Sequence, residues 1–133
     1  MYLVPFCSVP GAPICVIDPR TGIVHTAICA EDRHGMQRVV DCSPEHGVSE
    51  RSVFEFTNGL PIHFIDYGPS FAPQQILSRA RSQIGKPYRL FSSNCQHFTS
   101  WCATGVPKSQ QIATGLAIAA VCAVAVAALA AAA

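Results

Sequence analysis

The chain has few charged residues and no acidic residue after Asp66. Only 13% of its 133 residues are charged and 50% are hydrophobic, so a long solvated acidic or basic tail is excluded. The formal net charge of +1 gives the whole chain no nucleic-acid-binding signature. Residues 1–66 carry four basic and eight acidic side chains, whereas residues 67–133 carry five basic ones and no acid.

This asymmetry predicts a contact surface for anions in the second half of the chain. Its partner would be an anionic lipid headgroup, an RNA or an acidic protein. A solvated basic face is the simpler interpretation. The surface would consist of Arg79, Arg81, Lys86 and Arg89.

The sequence also lacks a CxxC pair and a recognisable secretion signal. Seven cysteines are an odd number, whereas a secreted disulfide framework normally uses an even set, so a reducing compartment is favoured. Residues 1–17 are apolar but carry three prolines and no basic residue, which is not typical of a signal peptide. Cys42 and His46 are spaced plausibly for zinc, but no second ligand pair has a comparable spacing. We therefore expect neither a metal nor another cofactor.

One long apolar run lies at the far end. Residues 112–133 hold no strongly polar side chain, and a helix of that length would reach about 33 Å, enough to cross a hydrocarbon core. Alanine dominates the run, and it favours helix but contributes little transfer free energy. We predict a hydrophobic C-terminal helix over 109–133 that anchors the chain to a membrane. The alternative is a helix that covers an apolar groove or mediates self-association.

The preceding sequence, residues 1–108, predicts a small α+β domain in which an antiparallel sheet packs with helices. Apolar runs separated by turn residues predict a meander of strands at 14–18, 23–30, 36–41, 53–56 and 62–67. Helical spacing begins at Pro73 and ends at Gly85, and a second helix starts at Ser92, Ser93 or Asn94. The buried face of the first helix is expected to hold Ile76, Leu77, Ala80 and Ile84.

The second helix places Cys95 in its first turn. Unpaired backbone N–H groups and the helix dipole favour a thiolate there, which predicts a lowered pKa, and the same groups can stabilise an oxyanion. The thiol needs a base. His97 faces another direction because residues i and i+2 of a helix diverge, whereas His25 on an apolar strand is better placed. Asp41, or less favourably His34, would orient that imidazole. The alternative is an inert, buried cysteine and an ordinary strand histidine.

Two segments resemble the H-box/NC family, which includes lecithin:retinol acyltransferase and the HRAS-like phospholipase/acyltransferases. The first segment resembles the NC region and reads Ile76-x-x-Arg79-Ala80-x-x-x-Ile84-Gly85-x-x-Tyr88-x-Leu90-x-Ser92-x-Asn94-Cys95-x-His97-Phe98. The second segment resembles the H-box and consists of His25-Thr26-Ala27-Ile28 with Val39-Val40. The resemblance implies a permuted papain-like thiol fold. It also implies that Cys95 is the nucleophile and His25 the base, and that a phospholipid acyl chain passes to the thiol as a thioester. Asp41 stands where the family usually has histidine, and Gln96 where it usually has glutamate.

Within that family, the compact size, short loops and Ala-rich tail are most similar to the 2A proteins of kobuviruses, a group of picornaviruses. This similarity implies a viral non-structural protein in the host cytoplasm, at membrane-associated replication sites, with viral replication proteins and host proteins as partners. We interpret the domain as an interaction module in genome replication and assembly. The alternatives are an active Cys–His phospholipid acyltransferase or phospholipase A, and a cysteine protease with the same residues. The sequence does not indicate an oligomeric state.

Overall fold

A computed structural model describes residues 9–89 and 94–108. They form five strands and three helices in the order β1 (Pro13–Ile17), β2 (Val24–Cys29), β3 (Arg38–Ser43), β4 (Gly47–Ser52), α1 (Val53–Thr57), β5 (His63–Phe64), α2 (Pro73–Ser82) and α3 (Cys95–Thr104). All pairings are antiparallel and the sheet order is β4-β3-β2-β1-β5. The prediction of a small α+β domain with an antiparallel sheet is confirmed.

Both faces of the sheet are buried, because helices cover each of them. Alternate strand residues point to opposite faces. One face, which includes Ile28 and Val40, packs against apolar residues of α2 and α3. The other face, which includes Ala27 and Val39, packs against α1.

The ladder between β2 and β3 is much shorter than either strand. Only Ile28 pairs with Val40 and Cys29 with Val39, whereas β1 pairs with β2 from Pro13 to Ile17. The first half of β2 is therefore left open on its β3 side. The start of α3 lies against this open edge, and this placement positions the candidate site.

Two regions, residues 47–52 and 53–56, differ from the prediction. Residues 53–56, predicted as a strand, form α1, because Ser52 and Glu55 make a capping box in which each side chain binds the other residue's backbone N–H. Strand β4 was missed because its sequence, GVSERS, is polar and lies at an edge of the sheet. The predicted strand at 62–67 contributes only His63–Phe64.

The helix predictions are closer to the structure. Pro73 occupies the first turn of α2, and Ile76, Leu77 and Ala80 are buried as expected, whereas Ile84 follows the helix and is 48% exposed. The predicted helix over 109–133 and the candidate caps Ser92 and Ser93 lie outside the described residues. Among the residues that are described, no helix is long and apolar enough to cross a membrane.

Two arginines of α2 tie the helices and the sheet together. The Arg79 guanidinium lies 3.9 Å from the Trp101 ring centroid and 4.5 Å from that of Phe71, and it donates to the Trp101 carbonyl oxygen at 2.9 Å. Arg81 forms ion pairs with Glu31 and Glu50. Both side chains therefore have structural partners, although no acid follows Asp66 in the sequence.

The described cysteines differ in burial and in oxidation state. Cys15, Cys42 and Cys102 are buried, whereas the Cys95 thiol is only partly buried. Cys29 is disulfide-bonded, a bond that the cysteine count did not predict.

Candidate functional site

The site is built on the first turn of α3, where Asn94 is the N-cap. The Asn94 side chain accepts the His97 N–H at 2.9 Å, and this bond satisfies one of the amides that a helix start leaves unpaired. Cys95 is therefore the first residue of the helix, as predicted.

Three contacts attach this helix start to the open edge of β2. The Thr26 hydroxyl donates to the Cys95 carbonyl oxygen at 2.7 Å. The Cys95 thiol lies 3.9 Å from the Val24 carbonyl oxygen, and the Gln96 side-chain amide donates to the same oxygen at 3.4 Å. Val24 and Thr26 flank His25 in β2, so these contacts hold the Cys95 thiol beside the part of β2 that contains His25. A glutamate at position 96 has no N–H to donate to this carbonyl, so glutamine gives a contact that the usual family residue does not.

The predicted nucleophile, base and orienting residue line one cavity of about 260 Å³. The structure thus brings Cys95, His25 and Asp41 together from α3, β2 and β3. His25 is exposed and pairs with Val16 of β1. The remaining lining is contributed by Ile23, Val24, Thr26, Cys42, Ser43, Pro44, Arg51, Tyr88, Asn94 and Gln96.

Asp41 is held by an arginine that the sequence analysis did not single out. Arg51 of β4 donates to Oδ1 of Asp41 at 3.1 Å and to Oδ2 at 2.6 Å. The Asp41 side chain is 4% exposed and that of Arg51 19%. Burial raises the pKa of the Asp41 carboxyl above its ordinary value of 3.8, and the charges of Arg51 and His25 oppose this shift only in part.

The Cys95 thiol does not have the lowered pKa that a helix start favours. Burial raises its pKa, and the nearby Asp41 carboxylate adds to the shift. Hydrogen bonds from Thr26 and from the Gln96 backbone act in the opposite direction and are outweighed. The prediction of a lowered pKa is therefore wrong for this structure, because the thiol is partly buried and lies near the Asp41 carboxylate.

The predicted anion-contact residues lie away from this cavity. Arg79 and Arg81 are engaged by the partners described above, whereas Lys86 and Arg89 are exposed. None of the four lines the Cys95 cavity. Within residues 9–89 and 94–108, no group of three His, Cys, Asp or Glu residues is arranged to hold a metal ion.

Sequence reasoning missed three residues of the site: Thr26, Arg51 and Tyr88. Arg51 had a usable signal, because it lies diagonally across from Asp41 in the β3–β4 ladder, where Asp41 pairs with Ser49. Because β4 was not predicted, the pairing register between β3 and β4 could not be predicted either. Thr26 has no signal in the sequence, since its contact depends on the point at which β2 and β3 separate.

Most of the chain matches one known protein family. The family profile described as Lecithin retinol acyltransferase matches residues 16–108. The chain is a member of that family, and the matched segment contains His25, Asp41 and Cys95. No curated protein matches the chain.

Proposed function

We propose that this lecithin retinol acyltransferase family domain serves as an interaction module and does not turn over phospholipid. The observation that carries the proposal is the pair between Asp41 and Arg51. Both oxygens of the carboxylate that would orient and charge-stabilise a His25 imidazolium are bonded to a guanidinium. An arginine next to this carboxylate reduces its ability to stabilise a second positive charge.

The state of the nucleophile supports the same proposal. Burial raises the pKa of the Cys95 thiol, and a raised pKa lowers the thiolate fraction at neutral pH. His25 would have to remove the thiol proton without a free carboxylate to stabilise the resulting imidazolium. The cavity is therefore better suited to holding the helix start in place than to generating an acyl-thioester.

A second function, phospholipid acyl transfer, is favoured by the shared lining of Cys95 and His25. In that reaction the Cys95 sulfur attacks the ester carbonyl carbon, and His25 takes the thiol proton and gives it to the departing lysophospholipid oxygen. Water or an amine then attacks the thioester and regenerates the thiol. Backbone N–H groups at the start of α3 would stabilise the oxyanion.

One experiment separates these two functions. The protein is incubated with phosphatidylcholine in mixed micelles, and lysophospholipid release and the intact mass of the protein are followed together. If the domain is an interaction module, lysophospholipid release should not exceed that of the Cys95→Ser variant, and the protein should carry no acyl adduct. Substitution His25→Ala is compared with His34→Ala, an exposed turn histidine that does not line the cavity. An adduct on Cys95 that disappears in His25→Ala and persists in His34→Ala would establish the enzyme and refute the module.

We further propose that the module belongs to a viral non-structural protein of the picornaviral 2A type, active in genome replication and assembly at host membranes. This proposal is supported by the resemblance of the compact domain with an Ala-rich tail to kobuvirus 2A proteins. Its partners would be viral replication proteins and host proteins, and the domain boundary would lie at residue 108. Lys86 and Arg89 remain candidates for contact with RNA or anionic lipid.

The Ala-rich segment gives the proposal a direct test in cells. Deleting residues 109–133 is expected to move the protein from the membrane fraction to the soluble fraction, because a charge-free run of spanning length is removed. Fractionation with carbonate extraction measures the partition. An unchanged partition of the shortened chain would show that membrane attachment, if any, resides in residues 1–108.

A further inference from the structure

A second cavity, of about 200 Å³, lies along α3 and shares no lining residue with the Cys95 cavity. His97 and Trp101, which are one helical turn apart, both line it. Phe98 and Pro107 add apolar surface, while Gln83 and Lys86 come from the segment after α2. The cavity therefore combines aromatic rings with polar side chains from two parts of the chain.

The charged lining of this cavity is positive. None of its lining residues is acidic, and Lys86 brings a cation. The segment that carries Lys86 is fixed, because the Val48 N–H donates to the Lys86 carbonyl oxygen at 2.8 Å and the Gly85 N–H to the Val48 carbonyl oxygen at 2.9 Å. Of the four basic residues singled out in the sequence, Lys86 alone lines a cavity described here.

His97 adds a polar group whose hydrogen-bonding capacity is not fully used. Its Nδ1 atom is buried without a hydrogen-bond partner among the described residues. Burial also lowers the pKa of the imidazole, which favours its uncharged form. The positive charge that attracts a ligand to this cavity thus comes from Lys86, with the imidazole as a polar neighbour.

We propose that this cavity binds a small group that combines an aromatic body with one carboxylate. The partly exposed ring of Trp101 suits an aromatic body, and Lys86 supplies the charge complement for the carboxylate. The volume is below the roughly 300–1,000 Å³ of pockets for drug-sized ligands, so the occupant is the size of one amino-acid side chain or a small aromatic acid. This binding site is independent of Cys95 and goes beyond the proposed function.

The cavity carries its own reporter, because Trp101 is the only tryptophan of the chain. The full-length protein is titrated with N-acetylphenylalanine, with its uncharged amide and with phenylacetate, and Trp101 fluorescence is recorded. We expect millimolar binding, as is usual for ligands of this size. The acid should bind about fivefold more tightly than the amide, the factor that one partly exposed charge contact provides, and salt should weaken only the acid.

A pair of variants identifies the cation. Lys86→Met should reduce the affinity for the acid about fivefold and leave the affinity for the amide unchanged. Arg33→Met removes an exposed cation that does not line the cavity, and it should change neither. If Lys86→Met is poorly folded, Lys86→Gln removes the same charge and should have the same effect on the two affinities.

The pattern of binding also distinguishes the source of the carboxylate. Preference for N-acetylphenylalanine would indicate a peptide C-terminus, and preference for phenylacetate a free aromatic acid; each result supports the site. Equal affinity for the acid and its amide would overturn the proposal, as would unchanged Trp101 emission with every ligand.

Discussion

Replacing Arg51 by methionine is expected to destabilise the fold by about 3 kcal/mol, since removing one partner leaves a buried carboxylate unpaired. The Asp41 side chain is 4% exposed and has both oxygens on Arg51. The matched change Asp41→Asn should cost no more than about 1 kcal/mol, because the amide keeps the shape and one acceptor oxygen while the buried charge is removed. Arg51, the more exposed partner, can hydrate its charge in that variant.

The pH dependence of these two variants should differ in a defined direction. Burial raises the pKa of Asp41 in the folded protein above 3.8. A raised pKa contributes stability that is present below pH 3.8 and is lost as pH rises through the folded value. Without Arg51 the pKa of Asp41 rises further. The loss of unfolding free energy in Arg51→Met, relative to the unmodified protein, should therefore be largest at neutral pH and should shrink towards pH 4.

Urea unfolding at pH 4.5 and pH 7, followed by Trp101 fluorescence, measures both effects. Asp41→Asn serves as the control, because it lacks the titrating group. Two results would contradict the ion pair between Asp41 and Arg51. One is equal unfolding free energies of the two variants at pH 7, and the other is a loss of stability in Arg51→Met that grows on acidification.

Replacing Gly47 by alanine is expected to be the other strongly destabilising change. Gly47 has a φ of +63°, and an added Cβ would lie 2.3 Å from the Lys86 carbonyl oxygen. That oxygen accepts the Val48 N–H, so the clash pushes apart the contact that holds the segment after α2 to β4. Left-handed strain of about 1–2 kcal/mol and roughly 1 kcal/mol for each weakened hydrogen bond add to a loss of about 3 kcal/mol.

Gly59→Ala is the matched control for this change. Gly59 also has a positive φ, of +82°, but an added Cβ there meets no atom within 4 Å. The two variants share the backbone strain, so the difference of about 2 kcal/mol between them isolates the close approach of the two chain segments. Equal unfolding free energies of the two variants would mean that β4 and the Lys86 segment are not in contact.

The helices could be predicted from the sequence because their signals are local. Proline at the start of α2 and asparagine before Cys95 act within a few residues, so the starts of α2 and α3 were predicted within two residues. Strand β4 carries no apolar alternation, since its pairing with β3 supplies its stability, and that pairing is not local. The capping box of Ser52 and Glu55 was a readable signal that the β-branched and aromatic residues around it obscured.

The candidate site was predictable in its members but not in its electrostatics. Cys95, His25 and Asp41 were identified from helix start, strand position and family resemblance, and they line one cavity. The rise of the Cys95 pKa depends on burial and on the distance to Asp41, which a sequence does not encode locally. The engagement of Arg79 by Trp101 and of Arg81 by Glu31 and Glu50 is likewise tertiary, because 22 to 50 residues separate the partners.

The pH dependence of Cys95 alkylation tests the central proposal most directly. Iodoacetamide labelling of the peptide that contains Cys95 is timed between pH 6 and pH 10 in the folded protein, in 8 M urea and in folded His25→Ala. We predict slow labelling at pH 7, a midpoint at higher pH in the folded protein than in urea because burial raises the pKa of Cys95, and little effect of His25→Ala. A folded midpoint below pH 7 that His25→Ala raises would instead reveal a Cys–His pair poised for catalysis and would contradict the module.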